Sequence, residues 1–184
     1  MARVILITGG ARSGKSDYAL RLAETLPGPR VFVATCPPLD DEMRERIRKH
    51  RQERLKRHWH TIEEPVDPAK TLSDSGHFTV FLVDCLTLWV NNLLYRAEKD
   101  GVVLSEEVME QYCGDLLEAC SGVQGTVIFV TNEVGLGIVP DNKVARTYRD
   151  LVGRCNQVIA GGSDEVYLVS CGIPLTLKKK ESLK

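Results

Sequence analysis

The sequence predicts an α/β protein, with a mostly parallel sheet flanked by helices and one antiparallel strand at the C-terminal end. Three observations predict it. Short apolar runs alternate with stretches of helical periodicity along the whole chain. The first run opens directly into Gly9, Gly10, Ala11, Arg12, Ser13, Gly14, Lys15 and Ser16, the spacing G-x-x-x-x-G-K-[ST] of a phosphate loop. The last two runs are separated only by "CG", and a two-residue connection can make only a hairpin.

Taken in order, the expected strands are residues 4–8, 31–34, 58–62, 79–84, 126–131, 165–170 and 173–177. The expected helices are residues 15–26, 41–57, 86–98, 105–119 and 143–160. In the first helix Tyr18, Ala19, Leu22, Ala23 and Leu26 recur at helical spacing, and Pro27-Gly28 stops it. Near-continuous apolar strands mean a sheet covered on both faces. At 184 residues the chain reads as one P-loop nucleotide-binding domain over residues 1–178, with 179–184 as a solvated tail.

Composition narrows the function classes. An apolar share of 43% suffices for a full core, and a net charge of −1 gives no global attraction to nucleic acid or anionic membrane. Six cysteines lie scattered without a C-x-x-C pair, which argues against structural zinc and for reduced core thiols. No apolar run has the length of a membrane span, and the N-terminus lacks a secretory core region. The expected compartment is the cytoplasm.

Ligands of such a sheet bind at the carboxyl ends of its strands. In the loop after the first strand, Gly9 and Gly14 allow backbone angles that turn N–H groups toward phosphate oxygens, at the positive end of a helix. Lys15 is expected to reach the β- and γ-phosphates of ATP or GTP, and the Ser16 hydroxyl to ligate Mg²⁺. Asp84 ends "TVFLVD", where a carboxylate either holds Mg²⁺, directly or through water, or caps the next helix. Glu133, in "TNEVGLGIVPDN", stands on the same rim as a base, a metal-shell ligand or a solvated loop acid. After it, Pro140 and Asp141 are expected to set up a helix with Val144, Tyr148, Leu151, Val152, Cys155 and Ile159 as its apolar stripe. Arg146 and Arg149 lie off that stripe, free to meet phosphate or a partner.

One stretch departs from the pattern. From Arg44 to His60 there are eight Lys or Arg against two Glu, a net of +6 with histidines neutral. Trp59 is the only aromatic ring other than histidine there, so a stacking platform for nucleic acid is missing. Met43, Ile47 and His50 share one helical face, directed toward the body of the protein. His50 is then either a satisfied structural histidine or a nucleophile or acid–base group, and the flanking cations favour its free base.

Together, "LITGGARSGKS", "LDDEM", the Arg46–Ile47–His50 segment, "DCLTLWVNNLL" and "VTNEVGLGIVP", followed by Arg146, Arg149-Asp150, Gly153-Arg154 and Asn156-Gln157, carry a resemblance. The chain resembles the bifunctional adenosylcobinamide kinase / adenosylcobinamide-phosphate guanylyltransferase family of cobalamin biosynthesis, over roughly residues 4–177. The resemblance implies two reactions. A hydroxyl of adenosylcobinamide takes the γ-phosphate of ATP or GTP. GTP then gives GMP to an enzyme histidine, and the cobinamide phosphate attacks that phosphoramidate to form adenosylcobinamide-GDP. The family's nucleophile falls on His50. Some members carry adjacent histidines there, whereas this chain has Lys49-His50. It further implies Mg²⁺, a homotrimer, no nucleic acid and no membrane span. The competing readings are a small-molecule kinase only, with His50 structural, and a nucleic-acid-stimulated P-loop ATPase that uses the basic helix.

Overall fold

The computed structural model describes residues 2–37 and 41–180, with all their side chains except those of Glu42, Met43 and Arg46. The elements run β1 (Arg3–Thr8), α1 (Lys15–Glu24), β2 (Arg30–Ala34), α2 (Asp41–Lys56), β3 (Trp59–Glu63), α3 (Pro68–Asp74), β4 (Val80–Asp84), α4 (Leu86–Lys99), α5 (Glu106–Gly122), β5 (Thr126–Val130), α6 (Lys143–Gly162), β6 (Glu165–Ser170) and β7 (Ile173–Lys179). A short 3₁₀ turn, Val134–Leu136, lies between β5 and α6.

The strands form one sheet in the order β3-β2-β4-β5-β1-β6-β7, parallel throughout except for the β6–β7 hairpin. The predicted fold class is therefore the observed one. Alternation along the buried strands splits the core in two. Ile5 and Ile7 of β1 pack with Phe32, Ala34 and the α1 residues Ala19 and Ala23. Val4 and Leu6, together with Val31, Val33, Phe81 and Val83, pack on the opposite face against residues of α4, α5 and α6 such as Trp89, Leu116 and Leu151. Each side chain of this kind, fully buried, stabilises the fold by about 1.5–3 kcal/mol.

The structure departs from expectation in a few places. Helix α3 was not expected. Its signal is local: Asp67 caps it by accepting from the Lys70 N–H, and Pro68 occupies the first turn, where its missing N–H costs nothing. The cap of α6 is Asn142 rather than Pro140 or Asp141, since the Asn142 side chain accepts from the Ala145 N–H. The α6 stripe is buried at Leu151, Val152, Cys155 and Ile159, but Val144 in the first turn is exposed. Arg146 donates to the carbonyls of Pro140 and Asp141, and Arg149 pairs with Asp150. β7 continues through Lys179, and Lys178 donates to the carbonyls of Ala160 and Gly161 at the end of α6. The last positions of the expected tail, 181–184, lie outside the described residues, as do Leu39 and Asp40 of "LDDEM".

Polar pins fix the strand exits. The Thr35 hydroxyl donates to the Cys85 carbonyl and accepts from the Cys85 N–H, both at 2.8 Å. The Asn92 amide of α4 donates to the carbonyls of Thr35 (2.8 Å) and Pro65 (2.9 Å). The ends of β2, β3 and β4 are thus tied to one helix. Asn92→Ala leaves two interior carbonyls without their donor, a cost of about 1–3 kcal/mol. We expect a lower urea midpoint with an unchanged m-value for this variant.

Candidate active site

The phosphate loop is shaped by what lies behind it. Gly9 has φ 157° and Gly14 φ 91°. A Cβ on Gly9 would come within 2.4 Å of the Val169 carbonyl oxygen, and one on Gly14 within 3.1 Å of Gly172 Cα. The β6–β7 turn presses on the loop from behind, and Gly172 N–H donates to the Ser13 carbonyl at 2.8 Å. Only glycine permits this approach at both positions. The Lys15 ammonium is folded back onto the Gly10 carbonyl at 3.2 Å and is almost fully buried. Buried beside it, the Ser13 hydroxyl has no hydrogen-bond partner among the described residues. An unpaired buried hydroxyl costs stability unless a ligand oxygen meets it. The loop residues Arg12 to Asp17 line a concavity of about 330 Å³.

A second concavity, of about 450 Å³, opens from the same Ser16 and Asp17. Its walls include Phe32 of β2, Asp84 at the end of β4, and Ile47, His50 and Arg54 of α2. The loop and the basic helix thus face one space. The three α2 residues fall at i, i+3 and i+7, one face of a helix. Met43, the other residue expected on that face, has no described side chain. The His50 side chain is 55% exposed, so it stands at the cavity wall and is not enclosed in the body of the protein as phase alone suggested. The reason is that the α2 residues on either side of it are polar and solvated. Its Nδ1 lies 3.5 Å from Glu53 Oε2.

Asp84 is not the cap of α4. Cys85 holds that position and makes no side-chain capping bond. Burial pushes the Asp84 pKa up, against the downward pull of the Ser16 hydroxyl bonded to it and of the Lys15, Arg54 and His50 charges. Its carboxylate and the Ser16 hydroxyl are hard oxygen donors, the kind that a small divalent cation takes. A cation there would supply the charge that burial withholds.

Glu133 lines neither concavity. Its carboxylate accepts from the Thr8 hydroxyl at 2.5 Å and from the Asn156 amide at 3.3 Å, and its N–H donates to the Gly9 carbonyl at 3.2 Å. Its position ties the β5 exit to the base of the phosphate loop. Sequence reasoning missed Arg54, although its seven-residue spacing from Ile47 was a signal. It placed the hairpin turn at Cys171-Gly172 but missed that this turn packs behind the phosphate loop, a long-range contact that no local pattern reveals. The outer end of α1 is fastened too: Glu24 accepts from Trp59 Nε1 at 3.0 Å and from Arg57 Nη2 at 2.5 Å.

Comparison with known proteins gives a consistent result. The family "Cobinamide kinase / cobinamide phosphate guanyltransferase" matches residues 5–177. The bifunctional adenosylcobalamin biosynthesis protein CobU of Escherichia coli (strain K12) is 42% identical over 185 residues, covering 95% of this chain and 99% of the relative. Its counterpart in Salmonella typhimurium is also 42% identical, over 183 residues with 95% and 99% covered. The bifunctional adenosylcobalamin biosynthesis protein CobP of Pseudomonas aeruginosa is 41% identical over 174 residues, covering 94% and 96%.

The buried Asp84 carries a stability prediction. Its folded-state pKa lies above the unfolded one, so the folded protein binds the proton more tightly. Stability from this group is full in acid and falls as the pH rises from the ordinary aspartate range through the raised value. Asp84→Asn should therefore raise the melting temperature of the nucleotide-free protein at neutral pH, and the gain should shrink as the pH falls toward the ordinary aspartate range. Calorimetry across that range checks it. A variant less stable than wild type at every pH would show that the charge is already satisfied.

Proposed function

This chain belongs to the cobinamide kinase / cobinamide phosphate guanyltransferase family, the premise from which we propose how its cleft carries two transfers. It acts as a bifunctional transferase of cobalamin biosynthesis. In the first reaction adenosylcobinamide takes a phosphoryl group from ATP or GTP. In the second, GMP passes from GTP through His50 to the phosphorylated product, giving adenosylcobinamide-GDP. One observation carries the reading: a single cavity has Ser16 of the phosphate loop on one wall and the His50 imidazole on another, with Asp84 between.

The kinase step needs position and charge rather than a covalent intermediate. Gly9 to Gly14 cradle the phosphates, the orphan Ser13 hydroxyl meets a phosphate oxygen, and Lys15 leaves the Gly10 carbonyl to follow the charge on the transferring γ-phosphoryl group. Asp84 and Ser16 would hold Mg²⁺, which when bound would neutralise phosphate charge. In the guanylyl step Glu53 beside Nδ1 holds a proton on that nitrogen and leaves the Nε2 lone pair free. Nε2 attacks the α-phosphorus, and the bond to the bridging oxygen breaks, so that pyrophosphate departs with the electron pair. Glu133 serves as a positioning group for the loop base.

Other parts of the reading draw on the surface. Arg44, Arg48, Arg51 and Arg57 each pair with a carboxylate, which supports a self-neutralised helix rather than a nucleic-acid interface. Leu136, Ile138 and Val139 on the rim loop, and Ile173, Leu175 and Leu177 on the edge strand, are exposed apolar residues that suit a homotrimer's contacts. Among the described residues no helix is long and apolar enough to cross a membrane. Cys85, Cys113, Cys120 and Cys155 are buried in the core, which supports structural thiols of a reducing compartment such as the cytoplasm.

The two activities should separate by mutation. Incubation with GTP labelled on its α-phosphorus should give an acid-labile, alkali-stable adduct on denaturing gels. His50→Ala should abolish that adduct and guanylyl transfer while keeping much of the kinase activity; labelling that survives the substitution would move the nucleophile elsewhere. Lys15→Ala should cost kinase turnover about a hundredfold or more, the scale for losing one preorganised charge stabiliser. Asp84→Asn should weaken the Mg²⁺ dependence of both half-reactions, and unchanged titration curves would remove Asp84 from the metal site.

A further inference from the structure

Among the described arginine side chains of α2 and its C-terminal end, Arg54 is the exception. Arg44, Arg48, Arg51 and Arg57 are exposed and each has a carboxylate partner, whereas Arg54 is half-buried and, among the described residues, has none within ion-pair distance. Its guanidinium lies over the Phe32 ring, with Cζ 3.9 Å from the centroid, and its Nε donates to the Thr61 hydroxyl at 3.3 Å. Those two contacts fix the plane of the group. Its two η amino groups have no hydrogen-bond partner among the described residues, and the side chain lines the cavity shared by His50, Ser16 and Asp84. Burial pushes the Arg54 pKa down, with the Asp84 charge opposing that shift.

A guanidinium half withdrawn from water, held flat and without a carboxylate at ion-pair distance among the described residues is arranged for an anion that arrives with a ligand. Spacing says which one. Arg54 follows His50 by four residues, about one helical turn or ~6 Å, on the same face. We propose that Arg54 is a catalytic residue of the guanylyl half-reaction, its η amino groups donating to the non-bridging oxygens of the α-phosphorus while His50 attacks it. This rests on the reading of His50 as the nucleophile. A guanidinium fork matches two phosphate oxygens at once, and its donors stand ready before charge accumulates. The bonds made and broken are those of the guanylyl step: the new P–N bond to His50 forms, the P–O bond to pyrophosphate breaks, and Arg54 keeps all its protons. The γ-phosphoryl transfer draws instead on Lys15, at the other wall.

Single-turnover labelling with GTP marked on its α-phosphorus tests this, with kinase turnover measured on the same preparations. Arg54→Ala should slow the first-order labelling rate by about a hundredfold or more, the scale for one lost transition-state donor. The final adduct stoichiometry and the kinase turnover should stay near wild type. Arg54→Lys should not restore the rate, because a point charge lacks the fork, whereas added methylguanidine should restore part of it in Arg54→Ala. Arg48→Ala, which removes an exposed paired cation, should label normally. Labelling by Arg54→Ala at the wild-type rate overturns the proposal. So does a parallel fall of labelling and kinase turnover, or full rescue by lysine with no response to methylguanidine, since each marks a general or structural role. The nucleophile reading fails by different signs, an absent adduct in the wild type or a persistent one in His50→Ala.

Discussion

The site is organised around one buried negative charge. Asp84 ends a central strand, and its carboxylate has left most of its water behind. Removing a carboxylate from water is expensive, and neighbouring cations recover only part of that cost. Lys15 and Ser16 come from the first turn of α1, and Arg54 and His50 from the helix after β2. Elements far apart in sequence therefore converge on one group. On the metal site proposed above, the tension at Asp84 would have a use: an under-compensated anion is prepared for a cation that enters with substrate, and stability of the empty protein would be given up for affinity in the loaded one.

The inner side of the site is rigid by construction. The phosphate loop has a polar network at its base, where Thr8, Glu133 and Asn156 meet, and a β-turn behind it at Gly172. The exits of β2 and β4 are locked by the double contact between Thr35 and Cys85. The outer side is built differently. α2 is a solvated helix whose apolar contribution to the cavity is small, and its charge pair with β3 and the one with α1 just past its end are largely exposed and individually weak. Rigid chemistry on one wall and an adjustable group on the other suit an enzyme that must admit both a nucleotide and a bulky second substrate.

Much of the fold was legible because its signals are local. The apolar runs marked the strands, the loop spacing marked β1 to α1, and the "CG" connection marked the antiparallel pair. α3 escaped since its evidence is a single Asp-Pro start before a seven-residue helix, too short for periodicity to register. Within the site, Lys15, Ser16 and Asp84 were legible from their places after strands. His50 was legible in phase but not in exposure, because exposure depends on what the rest of the helix leaves uncovered. The unpaired state of Arg54 among the described arginines of α2 was hidden, since it depends on which arginines find carboxylates, and two of those partners, Glu24 and Glu63, are distant in sequence.

The fastening of α2 has a mechanical consequence. The junction of α2 and β3 is held to the end of α1 through Glu24, Arg57 and Trp59, so it acts as a fulcrum. At 1.5 Å per residue, His50 lies only about 10 Å from Arg57, while the N-terminal end of the helix at Asp41 lies about 24 Å away. A tilt of about 10° displaces the imidazole by ~2 Å and the far end by ~4 Å on the same geometry. His50, the proposed nucleophile, rides on the short arm. The mouth of the cleft can widen for a large guest with about half as much movement at the imidazole.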